Sequence, residues 1–297
     1  MLTRKSYIKL ISIGTLLLTA AGVLSATTGC SRRGGQDESQ KQYITVKGSD
    51  TMVHLASSWA ETFMKDNPGF EISVTGGGSG TGMAALINDT TDICASSREI
   101  TEKERKLAEQ KGISPEEIVV ARDGIAVVVN RKNPVNELTL EQLAQIFTGR
   151  VTRWSAVGGT DEEIVVLSRE SSSGTYVFFQ ERVLNKQDYV ATAKLMPATS
   201  SIIRSVQDSS GAIGYVGLGY ALAAKNQLKV LAVKADADSE AVIPSEETVG
   251  SGRYIIARPL YLYIKEKPTG TVKKFIDFCL SAEGQDVVKE TGYVTVP

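Results

Sequence analysis

The chain has little with which to do chemistry. Histidine occurs once, at His54, and cysteine only at Cys30, Cys94 and Cys279 among 297 residues. One histidine and scattered cysteines give no metal-ligand spacing, so neither a metal nor a cofactor is expected. A Ser-His-Asp relay would have to run through His54, which lies in a helical pattern where a histidine ordinarily packs or faces solvent. No catalytic residue is therefore assigned. Basic charge is not in excess either: 33 Lys plus Arg stand against 34 Asp plus Glu. With no basic stripe, a nucleic-acid partner is not expected. Beyond residue 24 no apolar run approaches the roughly 20 residues of a membrane span.

The start of the chain points outward. Arg4, Lys5 and Lys9 precede an apolar run from Leu10 to Leu24, and small residues lead to Cys30. This reads as a secretory signal peptide over residues 1–29. The residues before Cys30 resemble a bacterial lipoprotein cleavage box, with Thr27 departing from its usual aliphatic residue. Cys30 is thus the expected lipidation site; ordinary cleavage to a soluble exported protein is the alternative. Residues 30–42 read as a flexible tether, about 20 Å from end to end by random-coil scaling. Removing residues 1–29 takes three basic residues and no acid, leaving 30 Lys plus Arg against 34 Asp plus Glu, a net charge of −4. Selectivity for an anion must then be local. Cys94 and Cys279 remain after export, either as a disulfide or as two separately buried thiols.

What the chain does have is a repeated device. Gly48-Ser49-Asp50-Thr51 follows the strand-like Ile44-Thr45-Val46 and precedes Met52, Leu55, Ala56, Trp59 and Phe63 on one helical face. The run Gly76 to Gly82 follows Glu71-Ile72-Ser73-Val74 and leads into another apolar helix start. Arg169-Glu170-Ser171-Ser172-Ser173-Gly174-Thr175 follows the strand-like Val165-Val166-Leu167. A helix start exposes unpaired N–H groups backed by the helix dipole. Ser173 and Thr175 add hydroxyls, and Arg169 adds a fork suited to bidentate oxyanion contacts. Taken alone, the third segment supports a capped helix beside a surface arginine equally well. Three such turns in one chain favour a cradle for a tetrahedral oxyanion. The glycine run is not a P-loop, because Met83-Ala84 stands where Lys-Ser/Thr is needed, and it holds neither Gly-x-Gly-x-x-Gly nor Gly-x-Ser-x-Gly.

Strand and helix patterns alternate along the rest, the mark of α/β layers with parallel strands. Helices are expected over Glu102–Gln110, Thr139–Phe147 (with Thr139 and Gln142 spaced as a capping box), Ser201–Gln207, Thr271–Leu280 and Ala282–Glu290. Two long extended runs stand out: Ile118 to Val129, broken by Asp123-Gly124, and Tyr254 to Ile264. They suggest segments crossing between two lobes, one built from 43–122 and 259–297 and the other from 123–258. The first two turns then face the third across a cleft, since open α/β sheets bind ligands beyond their strands' carboxyl ends. Hinged closure would bury the ion.

In this order, several segments resemble the phosphate-binding proteins of bacterial phosphate ABC transporters, with the two-lobed type II periplasmic-binding-protein fold. They are Gly48-Ser49-Asp50-Thr51, Gly78-Ser79-Gly80, Asp92 to Glu99, Ile146 to Trp154, Arg169 to Thr175, Gly211 to Val216, Glu283-Gly284-Gln285 and Gly292-Tyr293-Val294. They span nearly the whole exported part. The resemblance implies a receptor that binds inorganic phosphate, performs no chemistry, acts as a monomer, and delivers the ion to transmembrane permease subunits. Its place would be the outer face of the cytoplasmic membrane or the periplasm, as a lipoprotein with a palmitate-bearing anchor. Contacts carried over from the family fall on Asp50, Thr51, Ser79, Arg169, Ser173, Gly174 and Thr175, with Ser49 as a neighbour. Ile146 to Trp154 looks like a packing and surface motif.

One position departs from the family pattern. Where Ser97 stands, some members carry an aspartate that accepts the proton of hydrogen phosphate and so rejects sulfate. Asp50 is the expected substitute acceptor, with Glu99 and Glu170 as poorer ones. A sulfate or molybdate receptor, a secreted phosphatase, and an adhesion or signalling module that uses the ion as a cue are the competing readings.

Overall fold

The structure, a computed structural model, describes residues 41–297. The expected signal peptide, Cys30 and the tether up to residue 40 lie outside the described residues. The tether ends earlier than expected: Gln42 already opens the first strand, and its amide donates to the Gly69 carbonyl at 2.8 Å. Among the described residues no helix is long and apolar enough to cross a membrane.

β1 (Gln42–Gly48) leads through a short 3₁₀ turn, Asp50–Met52, into α1 (Val53–Asp66), followed by β2 (Phe70–Thr75), α2 (Ser79–Ile87), β3 (Ile93–Ser96) and α3 (Glu102–Gln110). β4 (Glu116–Val129) is the first long crossing strand. After it come β5 (Glu137–Thr139), α4 (Leu140–Phe147), β6 (Val165–Arg169), α5 (Gly174–Arg182), β7 (Lys194–Met196), α6 (Thr199–Asp208) and β8 (Ala212–Gly217). Then follow α7 (Leu218–Ala223), β9 (Lys229–Val230), β10 (Ala232–Lys234) and α8 (Glu246–Gly250). β11 (Ala257–Ile264) returns across, and α9 (Gly270–Leu280) and α10 (Ala282–Glu290) close the chain.

The main sheet runs β2-β1-β3-β11-β4-β8-β6-β7, with β9 also on β4. β1, β2 and β3 are mutually parallel, as are β6, β7 and β8. The two crossing strands are antiparallel to each other and to their neighbours, so the parallel pattern holds within each half and not across the middle. Asp123-Gly124 does not break β4. The strand runs through it and changes partner there, from β11 (up to Gly124) to β8 (from Ile125). Ladder bonds on both sides override a turn-forming dipeptide.

Each half has its own core. In the first, Leu55, Trp59 and Phe63 of α1 pack with Phe275 and Cys279 of α9 and Val288 of α10. Each such fully buried side chain contributes about 1.5–3 kcal/mol. In the second, Phe147, Trp154, Phe179 and Tyr215 cluster, with the Phe179 and Tyr215 rings stacked at 4.1 Å. Trp154 belongs to this core, donating from Nε1 to the Gly211 carbonyl at 3.0 Å. The Thr139/Gln142 capping box forms in both directions. Cys94 and Cys279 are separate buried thiols, and burial pushes both thiols up, which leaves them inert.

This arrangement decides where the turns go. Parallel strands end on one edge, so Gly48, Thr75 and Ser96 deliver their following residues to one place. Arg169, Met196 and Gly217 do the same from the other half.

Candidate functional site

Four strand ends meet at one buried polar cluster. From the first half come Ser49 and Thr51 after β1, Ser79 at the start of α2, and Ser97 after β3. Each is at most 2% exposed. From the second come Arg169, Ser173 and Thr175, each at most 3% exposed. So many buried hydroxyls are tolerated only because they have partners. Ser49 Oγ donates to Ser97 Oγ at 2.9 Å, the Ser97 amide donates to Ser79 Oγ at 3.1 Å, and Ser79 Oγ lies 3.3 Å from Ser97 Oγ. Across the cleft, Thr51 Oγ1 and Thr175 Oγ1 are 2.8 Å apart.

The halves also touch through backbone. The Gly80 amide donates to the Ser172 carbonyl at 3.0 Å, and Ser172 Oγ donates to the Gly77 carbonyl. Gly78 has φ +101°, and a Cβ there would lie 2.5 Å from the Ser172 carbonyl oxygen. Only glycine satisfies both the left-handed backbone and that approach. At the third turn Ser173 is the N-cap of α5, its Oγ accepting from the Thr175 and Tyr176 amides.

Arg169 is held on every side. Nε donates to the Met196 carbonyl at 3.1 Å, Nη2 to the Pro197 carbonyl at 3.0 Å, and Nη1 to Thr199 Oγ1 at 2.9 Å. Asp50 Oδ2 stands 3.4 Å from Nη1 and accepts from the Thr199 amide at 2.7 Å. Asp50 thus ties the first turn to the second half through Oδ2. Tyr220 adds a donor to the Asp50 carbonyl, and Tyr293 one to that of Thr51. Burial, with Asp50 nearby, pushes the Tyr220 phenol up to about 12, so it stays protonated and donating.

The loop carrying Ser97 is braced from behind. Arg98 forms a two-pronged bond to Glu104, both at 2.8 Å, and Glu104 completes the capping box of α3 with Thr101. Burial acts to raise the Glu104 carboxyl, but the Arg98 fork and Thr101 outweigh it and hold it below its ordinary value. Stability from this pair is therefore present above the unfolded glutamate value of about 4.3 and is lost as pH falls through the lower folded value. Glu104→Gln is expected to cost about 1–2 kcal/mol at pH 7 and much less near pH 3. Urea melts at the two pH values check this; a penalty undiminished in acid would remove the ionic account.

Of the nine ligand positions expected from sequence, all lie in or at the edge of this cluster. Glu99 is exposed and accepts from the Tyr261 hydroxyl, away from it, and Glu170 is exposed. His54 is exposed on α1. Four residues of the site escape the sequence motifs: Thr199, Tyr220, Asp123 and Arg258. Arg258 and Asp123 form an ion pair at 3.0 Å, with side chains 1% and 0% exposed. A charge amid each long apolar run was the available signal, since buried charges must pair. Among the described residues no group of three His, Cys, Asp or Glu side chains could hold a metal. The geometry suits dehydrating a small oxyanion with N–H and O–H donors, not breaking a bond in it.

The family described as the PBP superfamily domain matches residues 35–283. A phosphate-binding protein PstS of Staphylococcus epidermidis is 34% identical over 291 residues, covering 96% of this chain and 88% of that one. A protein of the same name from Staphylococcus saprophyticus is 35% identical over 292 residues, with 96% and 89% covered. Among solved structures, a putative phosphate ABC transporter substrate-binding protein with bound phosphate, from Clostridium perfringens, superposes with a TM-score of 0.77 at 32% identity. It covers 86% of this chain and all of its own. An ABC-type phosphate transport receptor from Vibrio cholerae gives 0.69 at 28% identity, with 85% and 100% covered.

Proposed function

The chain belongs to the PBP superfamily, among its phosphate-binding proteins, and from that premise we propose that its buried hydroxyl cluster holds inorganic phosphate. It is the extracytoplasmic substrate-binding component of a phosphate ABC transporter and not an enzyme. The observation that carries the ligand assignment is the convergence of Ser49, Thr51, Ser79, Ser97, Ser173 and Thr175 at one buried place with Arg169 beside them. Gly174 belongs to the same set through its backbone amide at the start of α5. Donors fixed in advance dehydrate an anion without reorganising, and a helix N-terminus adds the favourable end of its dipole.

In this reading residues 43–122 with 259–297 form one lobe and 123–258 the other, and the lobes close over the ion about the crossing strands β4 and β11. The closed protein delivers phosphate to permease subunits. It works as a monomer on a lipid anchor at Cys30, since the short polar segment that follows would keep the binding lobes near the membrane.

The test is calorimetric titration of the ion-free protein with phosphate, sulfate, arsenate and molybdate. Phosphate and arsenate are expected to bind and sulfate to bind much more weakly; equal sulfate affinity would sink the phosphate assignment. Asp50→Asn separates two roles for that residue. If its carboxylate accepts the phosphate proton, phosphate affinity drops about tenfold or more while sulfate affinity does not. Equal losses for both ions would leave Asp50 as the holder of Arg169 alone.

A further inference from the structure

Arg258 stands one hydroxyl away from the cradle. It lies on β11 directly opposite Asp123 on β4, in the ladder that joins the two crossing strands. Asp123 Oδ2 accepts from Arg258 Nε at 3.3 Å and Nη2 at 3.0 Å, while Oδ1 accepts from the Leu218 amide at 2.9 Å. The guanidinium carbon lies 5.4 Å from the centre of the Phe178 ring, which restrains it from another side. So held, Nη2 donates a further bond to Thr175 Oγ1 at 2.9 Å.

That bond has a direction. A guanidinium only donates, so Thr175 Oγ1 must accept. The Thr175 hydrogen is then left for Thr51 Oγ1 or for an oxyanion in the cradle, and accepting from a cation makes the hydroxyl a stronger donor. Arg258 Nη1 is buried and has no acceptor among the described residues. We propose that Arg258, aligned by Asp123, is a positioning residue of the oxyanion site: it sets Thr175 as an obligatory donor to the bound ion. The inference rests on reading the cradle as the phosphate site.

A purely structural role, tying β4 to β11, predicts the same contacts but no coupling to Thr175. Removing Arg258 alone would strand the buried Asp123 charge, so the charge-neutral double substitution Asp123→Asn with Arg258→Gln is the cleaner probe. Phosphate titrations are compared for the unsubstituted protein, the double variant, Thr175→Val, and all three changes together. The double variant is expected to bind phosphate about tenfold more weakly, and in the Thr175→Val background the same change should alter affinity less than about twofold. Equal factors in both backgrounds, or no loss in either, overturn the proposal and leave Arg258 as a strand tie. Failure of the unsubstituted protein to bind phosphate would instead overturn the reading of the cradle. If the double variant does not fold, Arg258→Lys, which keeps the charge and loses the fork, takes its place in both backgrounds. A loss that vanishes with Thr175→Val then supports the proposal, and equal factors again overturn it.

Discussion

Arg169→Gln is expected to weaken phosphate binding by about two orders of magnitude or more, close to 3 kcal/mol, while the chain still folds. The side chain is 3% exposed and reaches from the end of β6 to the Met196 and Pro197 carbonyls, Thr199 and Asp50. Glutamine keeps some hydrogen bonding but removes the positive charge. Asp50 would then face a bound dianion with no cation between them, and like charges at close range in a poorly solvated cleft repel strongly. The loss should appear for phosphate and arsenate together, since both depend on the same charge. Calorimetry gives the affinities and a thermal melt gives the stability. A phosphate affinity within about threefold of the unsubstituted protein, alongside a lowered melting temperature, would reduce Arg169 to a scaffold residue.

The second large effect comes from one methyl group. Gly174→Ala is expected to abolish measurable phosphate binding, a loss of at least about a hundredfold. Local propensity predicts the opposite sign for stability, because alanine is the better helix former at the start of α5 by up to about 1 kcal/mol. The obstacle is across the cleft. A Cβ on Gly174 would sit 2.3 Å from Ser79 Oγ and 2.7 Å from Ser97 Oγ. Both serines are fully buried and already bonded to one another, so neither has room to turn away. The methyl group therefore holds the halves apart where the ion must be enclosed. The ion-free protein should melt no lower than normal, and its radius of gyration by solution scattering should no longer fall when phosphate is added. Gly69→Ala, where a Cβ would meet nothing within 4 Å, is the control and should change neither reading. Normal compaction with phosphate in the Gly174→Ala protein would refute the close-approach argument.

How much of this was legible in the sequence differs by residue. The helix starts were legible because their signals are local. Small residues between an apolar strand and an apolar helix face mark Ser49 to Thr51, Gly76 to Gly82 and Arg169 to Thr175, and the Thr139/Gln142 capping box needs only three residues of spacing. Ser97 carries no such local signal; it follows β3 without opening a helix, and only the family resemblance pointed to it. Asp123-Gly124 misleads for a related reason. Its turn chemistry is local, while the ladders to β11 and β8 that keep it extended come from residues about a hundred positions further along. Cys94 and Cys279 could have been a pair or two thiols until packing put one on β3 and the other on α9, in separate parts of the core.

By itself the sequence determined the class of fold and the three small-residue turns between strand and helix, because each follows from composition or from spacings of a few residues. Only the tertiary structure decided which turns meet, that Asp50 engages Arg169 and the Thr199 amide, and that Arg258 and Asp123 stand behind Thr175. Those contacts join residues 135 positions apart for Asp123 with Arg258 and 149 for Asp50 with Thr199. No local preference encodes them. They exist because parallel strands in each half end on a common edge, and because two crossing strands set those edges face to face.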